Sequence, residues 1–300
     1  MTSPLPRYAG VWLPLVTPFK DGDLDETSLR RLVRSFAPRV DGLVLCATTG
    51  EAPALSAEET QRVVETARDE LAAVGAASRI LVGLAGASTA GVVRALKAAE
   101  RWGGDGFLAT CPYYVRPAQE GLRLHFEAIA ETSPADILIY NIPYRTGVNL
   151  ANDTLLRIAE RTNVVGLKDC CADREQSRDI IRRKPAGFAV LMGDDAGFAA
   201  ALEDGADGGV TASAHIDPEG FRAVHAHARA GRTGEAAAAW AAIAAIPDLL
   251  FAEPSPAALK HCLWRTGLID SPELRLPMTP VSESLAARLD AAIARGWTPT

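Results

Sequence analysis

Lysine is scarce in this chain: of 31 basic residues only five are lysines, Lys20, Lys97, Lys168, Lys184 and Lys260, and the rest are arginines. A guanidinium supplies surface charge but holds its proton and cannot attack a carbonyl, so any nucleophilic amine is confined to very few positions. Metal-site spacing is missing too. The five cysteines, Cys46, Cys111, Cys170, Cys171 and Cys262, form no C-x-x-C pair and read as reduced thiols packed as small hydrophobes. His225 and His227 stand two apart in an expected helix, which points them to different faces. No metal and no cofactor is expected. With a net charge of −6 the chain has no broad basic surface, which disfavours nucleic acid. A long apolar run is also lacking: the most apolar late stretch, residues 236–252, is interrupted by Pro247 and Asp248 and is too short to span a bilayer. Residues 1–9 hold two prolines and no apolar core behind basic residues, so no secretory signal is expected. These absences describe a cytoplasmic protein with no membrane partner.

What is present is a repeating unit: a short apolar run, a corner rich in Gly, Pro or hydroxyl residues, then a helical pattern. The runs are 11–16, 42–46, 80–84, 106–109, 137–140, 164–168, 188–192 and 208–212, eight in all. Helical patterns lie between them, at 26–36, 57–71 (Ser56 as N-cap, Glu59 completing a capping box), 89–102, 120–131, 153–161, 174–183, 196–203 and 218–230. Apolar strands alternating with amphipathic helices call for a parallel sheet covered by helices, and eight units call for closure into a barrel. An open doubly wound sheet is the competitor, but it usually carries a glycine-rich phosphate loop after its first strand; here that corner is Thr17-Pro18-Phe19. The expected fold is therefore an α/β (β/α)8 TIM barrel over residues 1–230. A carboxy-terminal helical extension follows over residues 231–300, with helical patterns at 235–246, 256–266 and 281–294.

Catalytic groups of such a barrel sit where strands hand over to loops at the carboxyl face. The run Val164-Val165-Gly166-Leu167-Lys168 delivers an amine there, where desolvation disfavours its charged form and makes it a candidate nucleophile. The plain alternative is a strand-end lysine paired with Asp169 and reaching for water. Other strand ends carry Thr48-Thr49-Gly50-Glu51, Pro112-Tyr113-Tyr114, and Tyr140-Asn141-Ile142-Pro143 followed by Arg145-Thr146-Gly147. Hydroxyls, phenols and one arginine on a single rim suit carbonyl and carboxylate chemistry.

At these residues, in this order along nearly the whole chain, the sequence resembles the pyruvate-dependent class I aldolases typified by dihydrodipicolinate synthase and N-acetylneuraminate lyase. Glu253-Pro254 and Gly193-Asp194-Asp195 extend the match. The resemblance implies a barrel, usually a homotetramer, in which Lys168 forms a Schiff base with pyruvate or a related 2-oxo acid. It makes Tyr140 the proton shuttle, with a phenol pKa expected to be lowered by the nearby cation. Thr48, and Tyr114 reaching in from a neighbouring subunit, would link it to solvent. Thr49 and Val210 are expected to line the pyruvate site.

Arg145, in its Tyr-Asn-x-Pro-x-Arg-Thr-Gly setting, favours members resembling dihydrodipicolinate synthase, where this arginine takes the carboxylate of a small aldehyde partner, aspartate semialdehyde. The sequence departs from the family pattern at Ala47, Cys170-Cys171-Ala172, Gly209 to Ser213 and Ser255, and those around the sixth and eighth strands touch the identity of that partner. A sugar-acid aldolase or dehydratase, or a catalytically silent 2-oxo-acid-binding barrel, stays open at this point. The resemblance also implies that lysine-regulated members hold free lysine at a subunit interface with histidines, an asparagine and a glutamate; the matching positions here are Ala57, Thr60, Ser88 and Val92.

Overall fold

The structure, a computed structural model, describes residues 5–297. Eight parallel strands close on themselves: β1 (Gly10–Pro14), β2 (Gly42–Leu45), β3 (Arg79–Leu84), β4 (Gly106–Thr110), β5 (Asp136–Asn141), β6 (Val164–Asp169), β7 (Ala189–Met192) and β8 (Gly208–Val210), each bonded to the next and β8 back to β1. Around them run α1 (Glu26–Phe36), α2 (Ala57–Val74), α3 (Thr89–Ala99), α4 (Gln119–Thr132), α5 (Asn152–Ile158), α6 (Arg174–Arg183), α7 (Phe198–Glu203) and α8 (Pro218–Arg229). The barrel inferred from eight strand-helix units is the one observed.

Alternation along the strands sorts side chains into two apolar layers. Tyr8, Trp12, Val44, Leu81, Leu108, Leu138, Tyr140, Leu191 and Val210 fill the barrel interior, while a larger cluster joins the outward strand faces to the helices. Trp12 closes the amino end, its indole N–H donating to the Tyr8 carbonyl at 2.8 Å. Gly42 makes this possible, since a Cβ there would lie 2.2 Å from the indole ring. In α1 the spacing Leu29, Leu32, Val33, Phe36 gives one face that is fully buried, and each such side chain is worth about 1.5–3 kcal/mol out of water. The capping box of α2 forms as its sequence indicates, with Ser56 and Glu59 exchanging bonds of 2.9 and 3.1 Å.

After α8 come α9 (Thr233–Ile243), α10 (Ala245–Leu250), α11 (Ala257–Arg265) and α12 (Glu283–Ala294). Where one helical run was expected over 235–246, there are two, because the chain starts a new helix at Ala245 with Pro247 in its first turn, where a missing N–H costs nothing. Trp240 of α9 packs on Phe221 and Phe198, ring centroids 6.1 and 6.5 Å apart, which fastens this region to α7 and α8. Between α11 and α12 the chain has no regular element and returns to the carboxyl rim of the barrel through Glu273 and Arg275.

Two features lie outside the expected elements, although the turn of the first is read in the sequence as Lys20-Asp21-Gly22-Asp23. Phe19–Lys20 and Asp23–Leu24 pair as a two-residue hairpin around the Lys20-Asp21-Gly22-Asp23 turn, and Pro143–Thr146 forms one helical turn ending on left-handed Gly147.

Candidate active site

Lys168 and Tyr140 are register partners on β6 and β5, so neighbouring strands deliver an amine and a phenol at the same height inside the barrel. The Lys168 Nζ lies 4.2 Å from the centroid of the Tyr140 ring. Lys168 is only 5% exposed and has no carboxylate partner among the described residues. Asp169, the partner of the plain alternative, points the other way as alternation demands: it accepts from the Ser177 hydroxyl at 2.6 Å and the Cys171 N–H at 3.0 Å. Burial lowers the Lys168 pKa; Cys170 and then Asp195 pull the other way, and Arg145 adds a smaller lowering. The amine is thereby moved toward the neutral, nucleophilic form.

Thr48, Thr49, Tyr140, Arg145, Lys168 and Val210 line one cavity of about 30 Å³ with Gly193 and Asp195. Six of the seven residues singled out from sequence thus come together. The seventh, Tyr114, does not: it is 88% exposed, with φ +71°, on the loop after β4, and within one chain it reaches none of the others. The Thr48 side chain neighbours the Tyr140 phenol and favours its ionised form. Arg145 bridges this cavity and an adjoining one of about 310 Å³; its guanidinium carbon is 5.3 Å from the Tyr144 ring centroid, and it has no carboxylate partner among the described residues.

The expectation of a lowered phenol pKa is wrong. Burial raises Tyr140 well above its usual value, with Cys170 and Tyr144 pushing further up, and Thr48 only moderates this. A phenolate is desolvated in the same cavity as the amine, and that cost exceeds what the neighbouring groups return. Tyr140 is a neutral phenol in the resting site, a hydrogen-bond donor or relay rather than a standing base.

Two further residues, each within a motif named from the sequence, acquire a place in the site. Asp195, 2% exposed, accepts the backbone N–H groups of Ala212 (3.2 Å) and Ser213 (2.6 Å) beyond β8, and burial raises its pKa to about 6. Cys170 places its thiol 3.9 Å from the Tyr140 hydroxyl, and burial pushes that thiol up to about 12. The motif Gly193-Asp194-Asp195 flagged the first; for the second the signal was the Cys170-Cys171-Ala172 departure from the family pattern, just past the lysine. Among the described residues no group of histidines, cysteines and carboxylates is arranged to hold a metal, and no helix is long and apolar enough to cross a membrane.

A barrel whose carboxyl rim holds a desolvated lysine beside a tyrosine and a hydroxyl pair defines a class, the barrel lyases that work through a lysine Schiff base. Within that class the chain belongs to the Dihydrodipicolinate synthetase family, which it matches along residues 7–295. It is 41% identical over 287 residues to 4-hydroxy-tetrahydrodipicolinate synthase 2 of Clostridium acetobutylicum, covering 95% of this chain and 99% of that protein. Among solved structures it resembles the chloride-inhibited dihydrodipicolinate synthase from Acinetobacter baumannii complexed with pyruvate (TM-score 0.90, 36% identity, 95% of this chain and 98% of that one). It also resembles the enzyme from Cyanidioschyzon merolae with lysine bound (TM-score 0.91, 30% identity, 96% and 98%).

Proposed function

We propose that this protein is a 4-hydroxy-tetrahydrodipicolinate synthase, condensing pyruvate with aspartate 4-semialdehyde through a Schiff base on Lys168. The observation that carries this is the buried Lys168, with no salt-bridge partner among the described residues, held in register beside Tyr140. The neutral amine adds to the pyruvate ketone, water leaves, and the resulting iminium withdraws electrons from the adjacent methyl group. A methyl proton is then lost to give an enamine, whose carbon attacks the aldehyde of the second substrate; that substrate's own amine then adds to the regenerated iminium carbon and displaces Lys168, closing the ring and freeing the lysine. Tyr140 hands protons along the Thr48 hydroxyl during these steps, since a neutral phenol can give one proton and take another without holding charge. Thr49 and the backbone beside it receive the pyruvate carboxylate, and Val210 forms the apolar wall.

Arg145 supports the choice of second substrate. An arginine without a carboxylate partner among the described residues, standing between the lysine cavity and the larger one, suits a substrate that brings its own carboxylate. Tyr114 supports assembly: an exposed tyrosine flanked by exposed Tyr113 and Val115 is suited to enter the site of a second copy, in a homotetramer. Incubation with pyruvate and borohydride should leave a stable adduct on Lys168, and a coupled assay with aspartate 4-semialdehyde should show turnover. An adduct without that turnover would assign the site to another aldehyde; no adduct would remove the Schiff base altogether.

A further inference from the structure

Lys168 is not the only lysine withdrawn from water. Lys260 of α11 is 0% exposed, more enclosed than Lys168, and the proposed chemistry does not use it. Its Nζ lies 2.5 Å from Glu51 Oε1, donates to the Glu273 carbonyl at 2.8 Å and stands 4.2 Å from the Phe19 ring centroid. Arg275 reaches the same carboxylate with its backbone N–H, 3.1 Å from Glu51 Oε2, and grips Glu59 with both guanidinium nitrogens at 2.6 and 2.8 Å. Its guanidinium carbon lies 4.2 Å from the centroid of the Phe19 ring, as Lys260 Nζ does.

Glu51 ends the Thr48-Thr49-Gly50-Glu51 turn, and its own backbone is left-handed (φ +53°), a conformation that a non-glycine residue keeps when its surroundings over-determine it. Its N–H donates to the Thr48 carbonyl at 3.1 Å. A pull on the Glu51 side chain is therefore passed straight to Thr48. Buried ion pairs add little net stability over apolar replacements, whereas a single unpaired member is costly, so such a pair acts chiefly by enforcing one arrangement. Burial lowers the Lys260 pKa to about 8 even with Glu51 opposing, which shows how strongly the site is closed off.

Resting on the function proposed above, we infer that Lys260 is a positioning residue: through Glu51 the carboxy-terminal extension holds the Thr48-Thr49 turn in the shape that receives the pyruvate carboxylate. The test is a pyruvate titration of borohydride trapping on K260M, E51Q and K260M/E51Q. K184M serves as comparison because Lys184 pairs with Asp207 at the opposite, amino end of the barrel. Each single variant should need about tenfold more pyruvate for half-maximal adduct while reaching the wild-type plateau, in keeping with partial loss of a buried pair. The double variant should be no worse than the worse single, and K184M should melt earlier with an unchanged half-point. If K260M does not fold, the charge-neutral double variant carries the comparison. A wild-type half-point in whichever of these folds, multiplied rather than shared effects in the double variant, or an equal shift in K184M would overturn the inference. Failure of the wild type itself to trap pyruvate would instead overturn the reading on which it rests.

Discussion

Replacing Gly193 by alanine probes how the catalytic amine is aimed. Gly193 follows β7, and a Cβ built there would lie 2.4 Å from the Cys170 Sγ, 2.7 Å from the Lys168 Cε and 2.9 Å from the Lys168 Cγ. Non-bonded carbons settle near 3.5–4.0 Å, so the lysine stem has to move by roughly 1 Å or the strand end has to yield. Overpacking of this kind costs about 1–3 kcal/mol of stability. A misplacement of about 1 Å in a reacting group costs on the order of a hundredfold in rate. G193A should thus melt several degrees lower and trap pyruvate about a hundred times more slowly, with its Lys168 still present and intact by mass. G193A/C170A separates the two contacts: removing the thiol recovers part of the melting temperature but leaves the stem displaced, so trapping stays slow. Wild-type trapping by a stably folded G193A would refute the idea that the bare face of Gly193 sets the path of the lysine.

Lys168→Arg keeps charge and approximate size yet should give no pyruvate adduct, because a guanidinium is not a nucleophile at neutral pH; an adduct of the same yield by mass spectrometry would sink the assignment of the amine. Arg145→Ala should leave pyruvate trapping nearly intact while weakening aspartate 4-semialdehyde by roughly 1.5–3 kcal/mol, the range of a charge-assisted hydrogen bond; equal loss of both steps in steady-state and trapping assays would make Arg145 structural. Glu59 is held down at about 2 first by its bonds to Arg275. A depressed carboxylate contributes stability above its unfolded pKa, near 4.5, and loses it as pH falls toward 2. Melting curves of wild type and Glu59→Gln should therefore differ at neutral pH and converge near pH 2, and a constant gap would refute the ion-pair account.

The barrel was legible because its strands are apolar runs with breaks on both sides, and those signals are local. Arg174–Arg183 matched its expected span at both ends, since Asp173 caps the start and Pro185 blocks continuation. Of the hairpin at Phe19–Leu24 the polar turn at Lys20-Asp21-Gly22-Asp23 was legible but its strands were not, because two-residue strands have no period to detect. Lys168 could be singled out as the lysine that closes an apolar strand. Lys260 could not: its own helix gives no hint that Glu51, more than 200 residues earlier, waits beside it, and only the folded chain shows a second buried amine. The sign of the Tyr140 shift failed for a related reason. A sequence names the neighbours of a phenol but not how much water they exclude, and in this pocket exclusion outweighs charge. The role expected of Tyr114 depends on a second copy, so a single chain shows it only as an exposed side chain.

Free lysine should not inhibit this protein. By the family resemblance, the positions expected to hold lysine in regulated members correspond to Ala57, Thr60, Ser88 and Val92, and the fold has committed each of them. Ala57 opens α2 and has no polar side-chain atom. The Thr60 hydroxyl bonds back to the Ser56 carbonyl at 2.8 Å, and Ser88 Oγ caps α3 by accepting the Gly91 N–H at 3.1 Å. Val92 is 2% exposed in the core. A ligand with two ammonium groups and a carboxylate needs compensating partners to leave water, and none of these four side chains supplies a charge. Two missing charge-assisted contacts, at about 1.5–3 kcal/mol each, weaken binding by roughly 3–6 kcal/mol, a factor of about a hundred or more. Of the nearby Tyr113 and Glu51, the Glu51 carboxylate is already claimed by Lys260 and Arg275, which leaves the Tyr113 phenol and a weak contact at most. Turnover measured at saturating pyruvate against rising lysine should stay flat through the sub-millimolar range; half inhibition there would mean that lysine finds its partners elsewhere on this surface.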